Sequence, residues 1–273
     1  MGTALPAFTP VQDSLFLTLC GRALDSRAER PILADVMADQ ILHKIGFDPA
    51  TLPFAAKGMR DIALRAKKLD EVVERFVARH PNAVVLDLGA GLDSRFFRVD
   101  PPSTVDWYDI DFPEVVAVRH QVVPARDNVH TIGASLTDPH WLDGVPTDRP
   151  AVIVADGLVA FLAQDAFVSL LNRLTGHFPG GELAFNAYTR FHVWVLKRYS
   201  GTASLADVVA NPGFDDPHEP QRWDPRLTLV EEILLTRAPE VADYPTALRV
   251  WTRLAAHSTA LSRRGTAVLR YSF

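Results

Sequence analysis

The chain has 273 residues, of which 48% are apolar, and its formal net charge is −5. This length and composition allow one α/β unit with a large core, and the evenly mixed charges exclude the basic stripe that is typical of nucleic-acid binding. Cys20 is the only cysteine, and the N-terminus carries neither a signal peptide nor a membrane-length apolar run, so we expect a soluble, cytoplasmic chain without disulfides.

The N-terminal part of the chain carries helical patterns. Pro10 suits the first position of a helix that continues through VQDSLFLTLCGRAL, because the first turn does not use the N–H group that proline lacks. Pro31 opens a second helical run, which Gly46 ends, and a third helix is predicted over residues 59–79. We therefore predict an N-terminal helical cover made by residues 1–80.

From residue 82 onwards, short apolar runs alternate with helical stretches, which indicates a parallel sheet with helices on both faces. The strand candidates are seven runs, at residues 83–88, 105–110, 129–133, 151–155, 182–187, 227–235 and 266–271. The helices predicted between them include residues 113–120, 164–177 and 245–258. The Pro- and Asp-rich stretch 211–225 indicates a loop. We therefore predict an α/β core over residues 81–273, with an inserted cover loop near residues 200–226.

The strongest local signal is the segment AVVLDLGAGLDSRFF, from which a helix is expected to continue. Its strand leads into Gly89, Ala90 and Gly91, where the glycines permit a sharp turn and let a ligand approach the backbone. Ser94 stands where a dinucleotide site needs its third glycine, which counts against a nicotinamide-dependent reductase. Asp87 also disfavours a diphosphate but tolerates a cationic group such as an ammonium; alternatively, it serves only as a turn or capping residue.

Acidic residues also end two further strands. Asp109 and Asp111 lie 20 and 22 residues after Gly89, and at this distance an acid can accept hydrogen bonds from ribose hydroxyls. Only one of the two can be best placed for that role, and both could instead be solvated strand-end charges. Asp156 and Gly157 end the fourth strand, where ligands bind in open α/β sheets. Asp156 is predicted to hold a cofactor amino group or to position the acceptor; the alternative is a helix cap.

Arg65 lies on the apolar stripe of the third predicted helix, between Ile62 and Leu69. A guanidinium is costly to bury unless an anion meets it, and this helix leads directly into the first strand. The carboxylate of a methionine moiety is a suitable partner, because arginine can bind it through two hydrogen bonds. The alternative is a packed stem whose charged end reaches solvent. The glycine turn, the acids and Arg65 together favour S-adenosyl-L-methionine as cofactor.

An aromatic stretch follows the fifth strand. Tyr188, Phe191, His192 and Trp194 are expected to line a pocket for a planar acceptor, unless they form the core of a helix. His192 and Tyr188 are the candidate catalytic residues, with His192 as a general base or merely a structural histidine. No Ser/His/Asp arrangement is recognisable, and the histidines show no metal-ligand spacing, so no metal is predicted.

These segments together resemble the leucine carboxyl methyltransferase family, in its bacterial branch of polyketide-type, tetracenomycin-pathway-like O-methyltransferases. The resemblance covers nearly the whole chain and is carried by GRALDSRAERPILAD, RAKKLDEVV, VVLDLGAGLDSRFFR, YDIDFPEVV, VADGLVAFL and WDPRLTLVEEILL. It implies a Rossmann-like class I methyltransferase fold, in which a seven-stranded, mostly parallel sheet carries helices on both faces and an N-terminal helical lid.

The resemblance also implies roles for individual residues. Arg65 matches an arginine that binds the cofactor carboxylate, and Gly89 matches a glycine of the cofactor loop. Asp111 matches the acid that binds the ribose, and Asp156 matches an acid, usually glutamate, that contacts the methionine end. Arg22 corresponds to a basic residue of the N-terminal helix near the cofactor.

One position departs from the family pattern. Where the family usually has an Asp-Leu pair after the third strand, this chain has Ser135 and Leu136. The acid of that pair can contact the adenine amino group, whereas a serine hydroxyl accepts a hydrogen bond without charge assistance. We therefore expect Ser135 to weaken cofactor binding.

The expected activity is O-methylation of a carboxyl group on a small aromatic or polyketide-like metabolite. A carboxylate is ionised at neutral pH and needs no base, whereas a phenol benefits from one. Transfer to a phenolic or enolic hydroxyl is the first alternative, and a cofactor-binding homologue without catalysis is the second. The expected partner is a small-molecule acceptor, with no nucleic acid and no membrane, and the oligomeric state stays open.

Overall fold

The computed structural model describes residues 6–51, 56–198 and 206–273. Its N-terminal helices are α1 (Pro10–Ser26), α2 (Val36–Ile45) and α3 (Ala56–Arg79). Helix α1 begins with a reciprocal pair of hydrogen bonds: the backbone N–H of Thr9 donates to the Gln12 side chain, and the backbone N–H of Gln12 donates to the Thr9 hydroxyl. This arrangement satisfies amide groups that the first helical turn would otherwise leave unpaired.

The predicted start of the second helix at Pro31 is wrong. Helix α2 begins at Val36, with Asp35 as its capping residue, and the preceding residues form a turn. The buried carboxylate of Asp25 accepts hydrogen bonds from the backbone N–H groups of the three residues Ile32, Leu33 and Ala34. These amides are therefore satisfied without a helix. Gly46 ends α2 in a left-handed conformation, as predicted.

A seven-stranded sheet forms the centre of the molecule, with the strand order β3-β2-β1-β4-β5-β7-β6. The strands are β1 (Val84–Leu88), β2 (Asp106–Asp111), β3 (Val129–Gly133), β4 (Ala151–Ala155), β5 (Gly181–Ala187), β6 (Thr228–Leu234) and β7 (Ala267–Ser272). Strand β7 runs antiparallel to both of its neighbours, and the other pairings are parallel. The predicted mostly parallel α/β sheet is therefore confirmed.

Seven further helices surround the sheet in the part of the chain that the structure describes. They are α4 (Arg95–Val99), α5 (Pro113–Val122), α6 (Gln164–His177), α7 (Arg190–Leu196), α8 (Glu219–Trp223), α9 (Thr246–Ala256) and α10 (Thr259–Ser262). Helix α4 is a single turn, shorter than the glycine segment suggests. The predicted loop at 211–225 contains α8, and residues 199–205 of the predicted cover loop lie outside the described residues.

Each face of the sheet has its own core. On one face, Leu86, Ile153 and Phe185 pack against α6. On the other face, Val85 and Val152 pack with α3, whose buried side chains include Leu69, Val72 and Phe76. Helices α1 and α2 form a third core with α5, above the glycine turn. Helix α3 thus belongs to the sheet layer as well as to the predicted cover, and the domain division at residue 80 stays a prediction.

Candidate active site

A cavity of about 540 Å³ lies at the carboxyl ends of β1 and β4. Its walls come from α1, α3, the glycine turn, the turn after β4 and α7. Strands β1 and β4 are neighbours in the sheet, so the turns that follow them meet at this edge. This edge of the sheet is the usual place for ligands in open α/β folds. Nine of the predicted cofactor residues line it: Arg22, Arg65, Asp87, Gly89, Ala90, Gly91, Asp111, Asp156 and Gly157.

The glycine turn is held to the second strand by backbone hydrogen bonds. The N–H groups of Gly89 and Ala90 both donate to the carbonyl oxygen of Ile110. Gly89 and Gly91 have φ values of 66° and 50°, a region that favours glycine. The N–H group of Gly91 then donates to Oδ2 of Asp111 over 2.7 Å. The turn is therefore closed around the Asp111 carboxylate.

Asp111 is half-buried, and its second oxygen accepts a hydrogen bond from the backbone N–H group of Phe112 over 2.7 Å. Burial raises the pKa of this carboxyl above its ordinary value, although the N–H groups of Gly91 and Phe112 oppose that shift. Each carboxylate oxygen keeps a lone pair beyond the one that its N–H donor uses. Asp111 can therefore also accept hydrogen bonds from hydroxyl groups in the cavity.

Asp109 occupies a different place from Asp111. It is buried, accepts a hydrogen bond from Trp107 Nε1, and pairs with Arg119 Nη2 at 2.5 Å. Arg119 also donates to the carbonyl oxygens of Gly91 and Asp93. Asp109 is not among the described residues that line the cavity. The Asp109 charge is paired with Arg119, which also holds the glycine turn, so the predicted place of Asp109 in the cofactor site stays a prediction.

Arg65 and Asp156 form an ion pair inside the cavity wall. Arg65 Nε lies 2.5 Å from Asp156 Oδ1, and both side chains are buried. Burial alone would lower the pKa of the Arg65 guanidinium, but the Asp156 carboxylate holds that pKa above its ordinary value. Asp156 thus supplies the anion that a buried arginine needs. Arg65 and Asp156 both line the cavity.

Asn186 fixes the turn that carries Asp156, and sequence reasoning missed it. Its Oδ1 accepts a hydrogen bond from the backbone N–H group of Gly157 over 2.6 Å, although the two residues are 29 positions apart. Gly157 has a φ of 74°, and a Cβ atom there would lie 3.3 Å from Arg65 Nη2. The sequence signal that could have identified Asn186 is an asparagine within the mostly apolar strand β5. The structure shows that this side chain is fully buried, where its polar atoms need partners.

Asp87 and Arg22 enter the cavity wall as members of buried ion pairs. Asp87 pairs with Arg95 at 2.9 Å. Arg22 lies 3.2 Å from both Asp35 and Asp93, and it donates to the carbonyl oxygen of Leu92. Asp87 therefore supports the glycine turn, which the sequence left open as an alternative, and it also lines the cavity.

Ser135 and Leu136 follow β3, where the backbone N–H group of Ala134 donates to the carbonyl oxygen of Asp111. The Ser135 hydroxyl is hydrogen-bonded to the hydroxyl of Thr137, and Leu136 packs in the core beneath the sheet. Neither residue is among the described residues that line the cavity. Their predicted place in the cofactor site stays a prediction, which the local hydrogen bonds of Ser135 with Thr137 do not favour.

The aromatic stretch that follows β5 and continues into α7 divides between the cavity and the exposed side of the helix. Tyr188 and His192 line the cavity, with their ring centroids 5.1 Å apart. Phe191 and Trp194 are 45% and 52% exposed and stack on each other outside. The expectation that these two rings line the pocket is wrong, because helical periodicity turns them away from Tyr188 and His192. Apolar side chains complete this half of the cavity: Val11, Leu15, Phe161, Val195, Leu196 and Val209.

The described part of the chain offers neither a metal-binding cluster nor a helix that could span a membrane. Between residues 6 and 273, apart from the two internal gaps, no group of three or more His, Cys, Asp or Glu side chains is arranged to hold a metal ion. No helix in the described part of the chain has the length and apolar character needed to cross a membrane.

Comparison with known proteins places this geometry in a family. The sequence profile of the leucine carboxyl methyltransferase family matches residues 16–175. Over 267 residues the chain is 38% identical to the tetracenomycin polyketide synthesis O-methyltransferase TcmP of Streptomyces glaucescens, which covers 97% of both proteins. Over 198 residues it is 32% identical to the S-adenosyl-L-methionine-dependent methyltransferase dpfgK of Gibberella zeae, which covers 66% of both.

The fold is also shared with solved structures. The crystal structure of a candidate methyltransferase from Thermobifida fusca matches with a TM-score of 0.54 at 16% identity, covering 92% of this chain and 93% of that one. Sheet order, cavity position and relatives together define an S-adenosyl-L-methionine-dependent methyltransferase. The chain belongs to the leucine carboxyl methyltransferase family. The family, fold class and cofactor that the sequence predicted are thereby confirmed.

The charges of the cavity fit this cofactor. Its methionine end carries one carboxylate and one ammonium, and its ribose carries hydroxyl donors. Arg65 offers nitrogens to a carboxylate, and Asp87 and Asp156 offer oxygens to an ammonium. Asp111 offers oxygens to hydroxyls. The volume of about 540 Å³ lies within the usual range for small-molecule sites.

Proposed function

We propose that the protein methylates a carboxyl group of a small aromatic or polyketide-like metabolite. The observation that carries this proposal is the division of one cavity into a charged half at the glycine turn and an apolar half between α1 and α7. The relative TcmP, which is named as a polyketide O-methyltransferase, supports the same class of acceptor. We also propose a cytoplasmic location, since the lone buried thiol of Cys20 suits a reducing compartment.

The residues of the charged half would hold the cofactor by its polar ends. We assign the cofactor carboxylate to Arg65, the ammonium to the acids at the ends of β1 and β4, and the ribose hydroxyls to Asp111. When bound, the cofactor supplies an electrophilic methyl group on a sulfonium. Gly89 and Gly91 would let the cofactor lie against the backbone, because neither residue carries a side chain there.

The apolar half would position the acceptor and exclude water. Leu15 from α1 and Leu196 from α7 are among the apolar side chains that line the cavity. An acceptor carboxylate is already ionised at neutral pH, so the protein needs only to align it and remove its hydration shell. This chemistry requires no proton transfer from the protein. Tyr188 and His192, which line the cavity, are therefore not required as proton donors or acceptors in this reaction.

The test compares acceptors and then the bond that forms. The purified protein is incubated with S-adenosyl-L-methionine and pairs of aromatic compounds that carry either a carboxyl or a phenolic group. The methylated product is then treated with alkali, which cleaves a methyl ester but leaves a methyl ether intact. Alkali-labile products support the proposal, and alkali-stable products from the phenols alone contradict it.

The second candidate is transfer to a phenolic or enolic hydroxyl, and the position of His192 in the cavity favours it. A phenol needs a base near neutral pH, whereas a carboxylate does not. We therefore expect His192→Gln to keep turnover of a carboxyl acceptor and to lower turnover of a phenol about 100-fold or more. Binding of the cofactor without turnover of either acceptor class would instead identify a non-catalytic homologue.

A further inference from the structure

A buried network of charged side chains connects α1, α2 and α3 with the glycine turn. Its members are three arginines and four aspartates: Arg22, Arg95, Arg98, Asp35, Asp70, Asp87 and Asp93. When every group is ionised, the four aspartates and three arginines leave the network with one surplus negative charge. A surplus charge in a buried site is unfavourable unless a counter-ion reaches it.

The surplus is not shared evenly among the four aspartates. Asp93 lies within 3.2 Å of all three arginines. Asp35 pairs with Arg22 and Arg98, and Asp70 pairs with Arg95 and Arg98. Asp87 pairs with Arg95 alone, and Arg95 is already shared with the other two acids that it contacts. Asp87 is therefore the least neutralised member of the network.

The charges around Asp87 outside the network do not remove this surplus. Asp109 on β2 is paired with Arg119 on α5, so these two groups cancel. Arg65 and Asp156 on the opposite wall of the cavity also cancel. Asp111 adds a further carboxylate to the same cavity, held by two backbone N–H groups rather than by a cation.

The protonation of Asp87 agrees with this count of charges. Burial raises the pKa of Asp87 to about 8, with Arg95 opposing the shift and Asp93 and Asp109 adding to it. The raised pKa and the surplus negative charge of the network both favour a proton on Asp87 in the unliganded protein. This carboxyl lines the cavity, so a cation can reach it there.

We infer that the Asp87 carboxyl gives up a proton to solvent when the cofactor's ammonium group, which the proposed function assigns to the acids at the ends of β1 and β4, arrives beside it. The cation then supplies the positive charge that the buried network lacks. The inference rests on the cofactor of the family and is independent of the acceptor. A failure to methylate any acceptor would therefore leave it untouched.

The exchange has a measurable signature. At pH 6.5 the free cofactor product S-adenosylhomocysteine carries its ammonium, so binding should release about one proton from Asp87. For the same reason, the Kd for S-adenosylhomocysteine should rise about tenfold for each unit by which the pH falls below 7. 5′-Methylthioadenosine has the same nucleoside but no amino-acid end. Its binding should release no proton, even though it reaches Asp111.

The experiment is calorimetric titration of the unliganded protein at pH 6.5 in two buffers of different ionisation enthalpy. The number of released protons follows from the difference between the two apparent enthalpies. We expect about one for S-adenosylhomocysteine and about none for 5′-methylthioadenosine with the natural chain. Equal proton release for the two ligands, or none for S-adenosylhomocysteine despite measurable binding, would overturn the inference.

Two variants locate the proton. Asp87→Asn copies the neutral carboxyl of the unliganded state, so the variant should fold but bind S-adenosylhomocysteine without proton release and with a flat pH profile. The matched control is Asp61→Asn, since Asp61 lines the same cavity but accepts its hydrogen bond from Tyr244 rather than from the network. Proton release should persist in that control, and its loss there would assign the proton elsewhere.

Discussion

Replacement of Arg65 by methionine separates the two tasks that the site gives to this side chain. Arg65 neutralises the buried Asp156, with 2.5 Å between Nε and Oδ1, and in our proposal it also binds the cofactor carboxylate. Methionine keeps much of the apolar stem and fills similar space, but it removes the charge. The substitution should therefore lower both the stability of the fold and the affinity for the cofactor.

The two losses have different sizes. Removing one partner of a buried ion pair costs about 3–5 kcal/mol of unfolding free energy, because the other charge stays buried alone. The side chains of Arg65 and Asp156 are only 11% and 8% exposed, so solvent screens this loss little. Loss of hydrogen bonds to a charged ligand costs about 1.5–3 kcal/mol, which corresponds to an increase in Kd of about 12- to 160-fold.

Urea unfolding measures the first loss, and calorimetric titration with S-adenosylhomocysteine measures the second. The control is the double variant Arg65→Met/Asp156→Asn, in which no charge is left unpaired. It should regain most of the stability without regaining the affinity. If Arg65→Met folds and its Kd equals that of the natural chain, the proposed role of Arg65 in binding the carboxylate is refuted.

Three further predictions follow from individual contacts. Gly157→Ala should destabilise the fold by about 1–2 kcal/mol in urea unfolding, because the residue has a φ of 74° and the added methyl group would press on Arg65. Burial raises the pKa of the Cys20 thiol to about 12, so a thiol reagent at pH 8 should label the protein only after denaturation. Ser135→Asp should change the Kd for S-adenosylhomocysteine less than about twofold, within the range of a surface substitution, whereas Asp111→Ala should weaken binding at least tenfold.

The parts of the site that sequence reasoning placed correctly are those fixed by local geometry. Asp111 ends a strand that pairs with β1, and Gly91 stands at the turn after β1. Parallel pairing therefore brings the two to the same edge of the sheet, where they are joined by a hydrogen bond of 2.7 Å. Strand ends and glycine turns are visible as patterns within a few residues. The sheet and its cavity edge follow from them.

The parts that were missed depend on contacts between distant segments. Asp109 matches the ribose acid by spacing as well as Asp111 does, but Arg119 on the following helix takes its charge. The turn at Pro31 is decided by the Asp25 carboxylate, which lies several residues earlier. Asn186 and Gly157 meet only because β4 and β5 are neighbours. A sequence pattern names such residues but does not say which charge or amide each one meets.

The origin of the surplus charge shows which partner the active site lacks. Arg22 on α1 and Asp35, which caps α2, contribute one charge of each sign to the buried network, so these two helices leave its charge balance unchanged. The remaining members come from α3, β1, the glycine turn and α4, and there Arg95 and Arg98 face Asp70, Asp87 and Asp93. Helices α1 and α2 therefore cannot neutralise the site. The missing positive charge must arrive as a proton or as a cationic ligand, and the fold delivers such a ligand to the cavity that Asp87 lines.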